Sequence, residues 1–453
     1  MCEMELSEGD AAPPQLGSAA LVYVLFRWKG RPVGRLVVLR GEELSARAFR
    51  SAAFEASAAG ILAAEIERPG RASGGAAPAL DSPVDALRRL ATLMDIDPPA
   101  RLGASPGMDD RDRSRKEVAP SAIPDASDVS VVIATRDRPD DLATCLAALR
   151  ALDPPPGEIV VADSASRDAA AVASVARGAG ARLVRLERPG LSRARNAGAA
   201  AASGRFLAFL DDDCRVDRGW LDGLRAGFAD EGVEAVTGLL LPLEIDTEAQ
   251  QLFLRYSHMD LRGFLPRRFD RTSRPSRHWP IDAWRMGSGG NLAVRASSFT
   301  GLGGFRGTLG LGTPARGGED LFLLWSIVRA GGSVVFRPDA MARHRHHRSI
   351  DALRQVLFGY GAGHAAYLRA ALASGAPRAT VRFYKMSYYA DRAARIARSI
   401  LGLWPVPAGF VLRELRGSME GGGLARRAED EAARDAAQDA RGPAVETATK
   451  PTS

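Results

Sequence analysis

Short apolar runs recur through the middle of the chain, at residues 129–135, 158–163, 182–187, 205–210 and 235–241. Each is bounded by polar or glycine-rich sequence, which predicts strands covered on both faces. Between them, residues 139–151, 167–177 and 192–202 read as helices, and Pro139 stands where proline is tolerated at a helix start. Strands alternating with helices predict an α/β fold, a mostly parallel sheet with helices on both faces. Right-handed crossovers then bring the carboxyl ends of the strands to one edge. An irregular, basic and aromatic insertion from about residue 244 to 285 interrupts this pattern, which resumes with a strand at 291–295, a helix at 321–330 and a strand at 333–336.

The flanks read differently. Residues 1–17 are expected to be disordered, and 18–67 form a small α+β unit of unknown role. Within it, 21–26 and 33–39 pair as a hairpin through Lys29-Gly30-Arg31-Pro32, and a helix covers 43–66. Residues 68–127, rich in Pro, Gly, Ala and Ser and carrying a charge run at 109–117, have the composition of a linker with one helix at 84–94. The sheet pattern occupies 128–348 and long helices at 350–373 and 376–400 belong to a C-terminal block, 349–416. The stretch 417–453, charged and poor in large apolar residues, reads as a disordered tail.

Composition narrows the function classes without choosing one. The 453 residues carry a formal net charge of +7, which suits phosphorylated small molecules, anionic lipid and nucleic acid alike. The basic residues are interspersed with acids, and no recognition helix, zinc finger or aromatic RNA-binding signature accompanies them, so no nucleic-acid partner is expected. Cys2, Cys145 and Cys214 show no paired spacing, which argues against a disulfide framework or thiolate metal site and for a reducing compartment. The acidic start lacks a secretory pattern, and the apolar stretch 399–412 is broken by Pro405 and Pro407 and too short to cross a bilayer. A cytoplasmic protein is expected. Aromatic residues mixed with arginines over 383–415 fit either a helix packed on the main domain or a peripheral contact with an anionic membrane surface.

Asp211, Asp212 and Asp213 follow the apolar run 206–210, which puts three carboxylates at the mouth of a buried strand. Ligands of open α/β sheets gather there, and hard cations such as Mg²⁺ and Mn²⁺ take oxygen donors. Taken alone, the triplet equally describes a solvated strand-to-helix turn. Alternation along a strand allows Asp211 and Asp213 to converge on one ion, with Asp212 pointing elsewhere.

Five segments in order give the triplet its context: VSVVIATRDRPDDLATCL, EIVVADSASRD, GLSRARNAG, FLAFLDDDC, and the pair GSGGNLAVR with GGEDLFLLWSIVRAGG. Over about 129–363 the chain thereby resembles the family 2 glycosyltransferases of the GT-A fold. The resemblance implies an inverting, metal-dependent sugar transfer from a nucleoside diphosphate sugar to a hydroxyl of a glycan, lipid-linked or small-molecule acceptor, with Mn²⁺ or Mg²⁺ as cofactor. It implies nucleoside contacts by Thr135, Arg136 and Asp163, diphosphate contact by Arg195, and close helix packing at Asn196. Asp211 and Asp213 match the metal-binding acid pair, with Asp212 directed to the ribose. Glu319 and Asp320 match the acidic pair that supplies the general base, a role that falls to Asp320, with Glu319 orienting the acceptor. Gly289, Gly290 and Asn291 match the segment lining the acceptor side of the donor pocket. His344, within a run holding three of the six histidines, matches a third metal ligand in some members, and alternation gives it one face with His346. The contrasting reading is a non-catalytic nucleotide- or glycan-binding protein on the same fold, since a fold alone does not establish an activity.

Overall fold

The computed structural model describes residues 2–6, 21–39, 46–66, 123–257 and 263–440. The expected linker helix at 84–94 lies outside them. At the amino end, β1 (Cys2–Glu5), β2 (Leu21–Trp28) and β3 (Arg31–Leu39) form a three-stranded sheet covered by α1 (Ala46–Ile66). Lys29 and Gly30 both take left-handed φ, the geometry that closes a two-residue hairpin between twisted strands. Alternate residues of β2 serve two cores: Val24, Phe26 and Trp28 pack on Phe49 and Ile61 of α1, while Tyr23 and Leu25 join the core of the main domain. The expected disorder of 1–17 is corrected at its start, because β1 pairs in parallel with β2. The Glu5 carboxylate accepts from the backbone N–H groups of Lys29 and Gly30, each at 2.8 Å, so the turn and the first strand fix one another.

The main domain runs through β4 (Val129–Thr135), α2 (Pro139–Arg150), β5 (Glu158–Ser164), α3 (Ala169–Gly178), β6 (Arg182–Leu186), α4 (Leu191–Ala201), β7 (Phe206–Asp211), β8 (Cys214–Val216), α5 (Trp220–Gly227), β9 (Val233–Pro242), α6 (Glu248–Tyr256), β10 (Arg267–Phe269), β11 (Asn291–Arg295), α7 (Ala296–Gly301), α8 (Glu319–Ala330) and β12 (Ser333–His344). Strand order is β10-β12-β9-β11-β7-β4-β5-β6, with β8 paired to β12. The strands β7, β4, β5 and β6 are parallel, and so are β12 and β9; β11 lies antiparallel between the two groups. This is the expected mostly parallel α/β sheet. In β7, Phe206, Ala208 and Leu210 enter the core on one face while Leu207 and Phe209 enter the core on the other, which is why the run is apolar throughout.

Three helices complete the chain: α9 (Ile350–Ala373), α10 (Arg378–Ile400) and α11 (Ala408–Ala440). The disordered tail expected from 417 is corrected here, since α11 continues to residue 440. Its packing surface is small rather than large. A Cβ on Gly417 would lie 2.0 Å from the carbonyl oxygen of Phe358, and one on Gly361 would lie 1.9 Å from that of Glu414, so α9 and α11 meet backbone to backbone. Ion pairs continue the contact, from Arg369 to Glu429 at 2.9 Å and from Arg193 of α4 to Asp435 at 2.7 Å. Among the described residues no helix is long and apolar enough to cross a membrane.

Gly361→Ala is expected to destabilise the protein by about 1–3 kcal/mol through overpacking, despite alanine's better helix propensity. Gly422→Ala, on α11 with nothing within 4 Å of the added carbon, is expected to stabilise by up to about 1 kcal/mol. Urea unfolding of both variants checks the contrast.

Candidate active site

Register brings the predicted residues to one edge. Thr135 stands beside Asp163 at the ends of β4 and β5, and Ala134 beside Asp211 at the ends of β4 and β7. The strand stops at Asp211, and Asp212 and Asp213 occupy the turn into β8, so the three carboxylates diverge. Asp211 Oδ1 accepts from Arg195 at 2.7 Å. Asp212 is buried and accepts from Thr135 Oγ1 at 2.8 Å and from Arg138 at 3.3 Å. Burial first, and then the neighbouring charge of Asp213, push its carboxyl up to about 7. Asp213 takes Arg138 on Oδ2 at 2.9 Å and faces His344 Nε2 with Oδ1 at 3.1 Å. Burial opposes ionisation there too, but the His344 imidazole and Arg138 outweigh it and hold the carboxyl at about 2.

The Asp213 and His344 pair fits a divalent cation. Asp213 Oδ1 is buried and makes no properly directed hydrogen bond, although it lies 3.1 Å from a ring nitrogen. Two ligands about 2.1 Å from an octahedral ion sit about 3 Å apart when adjacent, so the spacing is that of neighbouring ligands. Asp213, Cys214 and His344 each place a donor atom within 4.8 Å of the others. Burial, followed by the surrounding aspartates, keeps the Cys214 thiol far above its ordinary range, so it is neutral and a poor partner for a hard ion. Asp211 stands outside this group, its carboxylate turned to Arg195. Behind His344, Nδ1 lies 3.0 Å from His346 Nδ1. Burial, with His344 beside it, lowers His346 to about 3. His346 is therefore neutral and able to accept from His344 Nδ1–H, which fixes the ring with Nε2 free for a ligand.

The second acidic pair opens α8. Gly318 before it has a φ of 87°, and Glu319 and Asp320 occupy the first turn, where negative charge meets the positive end of the helix. Glu319 is buried and takes Arg195 at 3.1 Å. Burial, then the adjacent Asp320 charge, push it up to about 7. Asp320 is half-buried; its Oδ2 accepts from Gly289 N–H at 2.9 Å and its Oδ1 from Leu321 N–H at 2.8 Å. The glycine loop fits between the two acidic groups only without side chains. A Cβ on Gly289 would lie 2.8 Å from that of Asp320, and one on Gly290 would lie 2.5 Å from Asp211 Oδ2.

Other predicted residues are placed as follows. Asp163 is fully buried, accepting from Ser166 N–H at 2.9 Å and pairing with Arg185. Arg136 is exposed and lies 3.8 Å from Asp137. Asn196 exchanges two hydrogen bonds with the backbone of Phe305, at 2.7 and 2.9 Å. Asn291 is fully buried, donating to the carbonyls of Leu239 and Ala340 and accepting from Trp220 Nε1, so its amide braces the sheet instead of facing the cleft. Arg138 contributes to the site beyond the sequence assignments, whereas His346, which the sequence reading set on one face with His344, lies behind that ring. Arg138 precedes Pro139 two residues after Arg136, and only the turn geometry selects it over its neighbour.

In metal-free protein, the raised pKa of Asp212 and Glu319 sets a sign. Both bind a proton more tightly folded than unfolded, so their contribution is fully present below about pH 4 and is lost as pH rises to about 7. Asp213 acts oppositely, its contribution being lost as pH falls from about 4 towards 2. Urea unfolding between pH 4 and 8 in the presence of a chelator is expected to show a falling stability that Asp212→Asn and Glu319→Gln each flatten.

Residues 130–286 match the family model described as Glycosyl transferase family 2. The pre-mycofactocin glycosyltransferase of Mycobacterium tuberculosis is 28% identical over 236 residues, 51% of this chain and 45% of that protein. Polypeptide N-acetylgalactosaminyltransferase 4 of Mus musculus is 31% identical over 175 residues, 36% of this chain and 29% of that one. The chain thus spans less than half the length of these curated relatives. A mannosyltransferase from Pyrobaculum calidifontis, solved in complex with GDP-Man and Mn²⁺, aligns with a TM-score of 0.42 and 17% identity, over 72% of this chain and 80% of that one. The family match supports a glycosyltransferase domain in this part of the chain.

Proposed function

We propose that the protein is a metal-dependent, inverting glycosyltransferase that moves a sugar from a nucleoside diphosphate sugar to a hydroxyl of a glycan, lipid-linked or small-molecule acceptor. The observation that carries this reading is the division of labour among five acids at one sheet edge. Asp211 and Glu319 are neutralised by Arg195, Asp212 and Asp213 are met by Arg138, and Asp320 alone is held by backbone N–H donors. Asp320 is therefore the group suited to take a proton, and Asp213 with His344 the group suited to hold a cation. When bound, the ion supplies positive charge to the departing diphosphate.

The acceptor hydroxyl gives its proton to Asp320 as its oxygen bonds to the anomeric carbon from the face opposite the nucleotide; the carbon–phosphate-oxygen bond breaks and its electron pair leaves with the diphosphate. Thr135, Arg136 and Asp163 line the nucleoside side in this reading, Asp212 approaches the ribose, and Gly289 and Gly290 give the backbone close approach to the donor. Arg195 acts through Asp211 and Glu319 as a positioning residue. One imidazole among oxygen donors suits Mn²⁺ better than Mg²⁺. The place of action is the cytoplasm or the inner face of a membrane, where a lipid-linked acceptor is met.

Release of nucleoside diphosphate from a panel including UDP-GalNAc, UDP-glucose and GDP-mannose, with and without Mn²⁺, tests this. Turnover on one donor is expected to require metal, to fall about 10²- to 10⁴-fold in Asp320→Asn, and to need about tenfold or more Mn²⁺ in His344→Ala. Donor binding that survives with no turnover under any metal, acceptor or pH condition would favour the non-catalytic alternative.

A further inference from the structure

We propose that the tip between α10 and α11 is a membrane-docking wedge, which seats the protein on an anionic bilayer beside its catalytic edge. Ile400, Leu401 and Leu403 are 74%, 69% and 65% exposed, three large apolar side chains within four positions. Residues 399–412 contain no charged side chain. Isolated exposed leucines are ordinary, but a contiguous group at the end of a helical hairpin is an interaction surface.

The surroundings of the tip choose the partner. A solvent-open cleft beside it is lined by Asp351, Arg354, Pro407, Gly409, Phe410 and Arg413. Arg354 pairs with Asp351 at 2.8 Å and lies over the Phe410 ring, 6.0 Å from its centroid. Neither Arg398 nor Arg413 has an ion-pair partner among the described residues. The nearest acids along α10 and α11 are already engaged, Asp391 by Arg392 and Arg395, and Glu414 by Arg392. Apolar side chains at the tip, flanked in sequence by Arg398 and Arg413, match the acyl boundary and the phosphates of an anionic leaflet.

The wedge is rigidly mounted. Val406, Phe410 and Val411 pack with Leu353 and Leu357 of α9 and with Leu252, Phe253 and Tyr256 of α6, and Trp404 lies against Tyr256. Phe253 in turn touches His346, with ring centroids 4.4 Å apart. The helix α9, which carries Arg354, starts three residues after His347. One packed block therefore joins the tip to the histidines of the site. A docked tip would hold the catalytic edge near a membrane-borne acceptor. That consequence rests on the transferase reading, whereas the docking itself does not.

Co-sedimentation of the full chain with vesicles of phosphatidylcholine alone, or of phosphatidylcholine with phosphatidylglycerol, tests the proposal. Binding is expected with the anionic vesicles, weakened by salt. It is expected to drop about a hundredfold or more in the triple variant Ile400→Ser, Leu401→Ser, Leu403→Ser, and about fivefold in Arg413→Ala. The triple variant should release nucleoside diphosphate like the unaltered protein, which separates lost docking from misfolding. Wild-type protein remaining in the supernatant at low salt overturns the proposal. So does an ultracentrifugation result in which wild type is a dimer and the triple variant a monomer, since the tip would then be a subunit interface. Vesicle binding without turnover on any donor would leave the docking standing and count against the transferase reading alone.

Discussion

Arg195 is the interaction on which the site depends. Its guanidinium is buried, with one nitrogen on Asp211 at the end of β7 and another on Glu319 at the head of α8. The planar fork spans two acids that the chain separates by more than a hundred residues, something a lysine ammonium does not reproduce. A buried guanidinium with one acid removed leaves charge poorly compensated, so the two acidic groups are each other's structural condition. Phe305 closes the remaining face, its ring centroid 5.2 Å from the guanidinium, and Asn196 holds the backbone of that residue in place. The loop around Phe305 is thus part of the brace.

How much of this was legible depends on which signal each part leaves in the chain. Strands such as β4 and β7, buried on both faces, are written as unbroken apolar runs, and their ends locate the site edge directly. The strand β8 spans only Cys214–Val216, too short to carry a period. The strand β12 runs past the expected residue 336 to His344, because Arg337 and Asp339 pair with each other, at 2.9 and 2.7 Å, and interrupt the apolar pattern where the register with β9 shifts. Residue types at the site were readable, but their partners were not. The strand ends at Asp211, so alternation stops applying just where Asp212 and Asp213 begin, and Arg138 and His344 are supplied by elements distant in sequence.

The C-terminal block shows the opposite limit. Beside its apolar cluster, the block is held by glycine and alanine approach between α9 and α11, and by one buried charged cluster in which Glu414 accepts from Tyr388 at 2.9 Å and Arg392 at 2.7 Å and pairs also with Tyr256. Burial alone would raise the Glu414 carboxyl, but the Arg392 charge and these hydrogen bonds hold it below its ordinary value. Scales that seek large apolar residues miss such an interface, and α11 beyond residue 417 looks like a charged tail to them. Small-residue stripes are legible only once the partner helix is known, since a glycine's value lies in what approaches it.

His344 shows how the peripheral parts serve the chemistry. On one side Arg343 pairs with Glu3 of β1, and on the other Arg345 pairs with Asp141 of α2. His346 then packs on Phe253 of α6 while lying behind the His344 ring. Four consecutive residues thus attach to the amino-terminal sheet, the acidic turn, the first helix of the domain and α6. A ligand at the frayed end of a strand would ordinarily sample several orientations, and each would weaken a coordination geometry that tolerates little displacement. Fixing the neighbours on both sides leaves the imidazole one direction, towards Asp213. The small amino-terminal unit acts on the site through this route: Glu3 and the Arg27–Asp217 pair at 2.6 Å clamp the β8–β12 corner from outside.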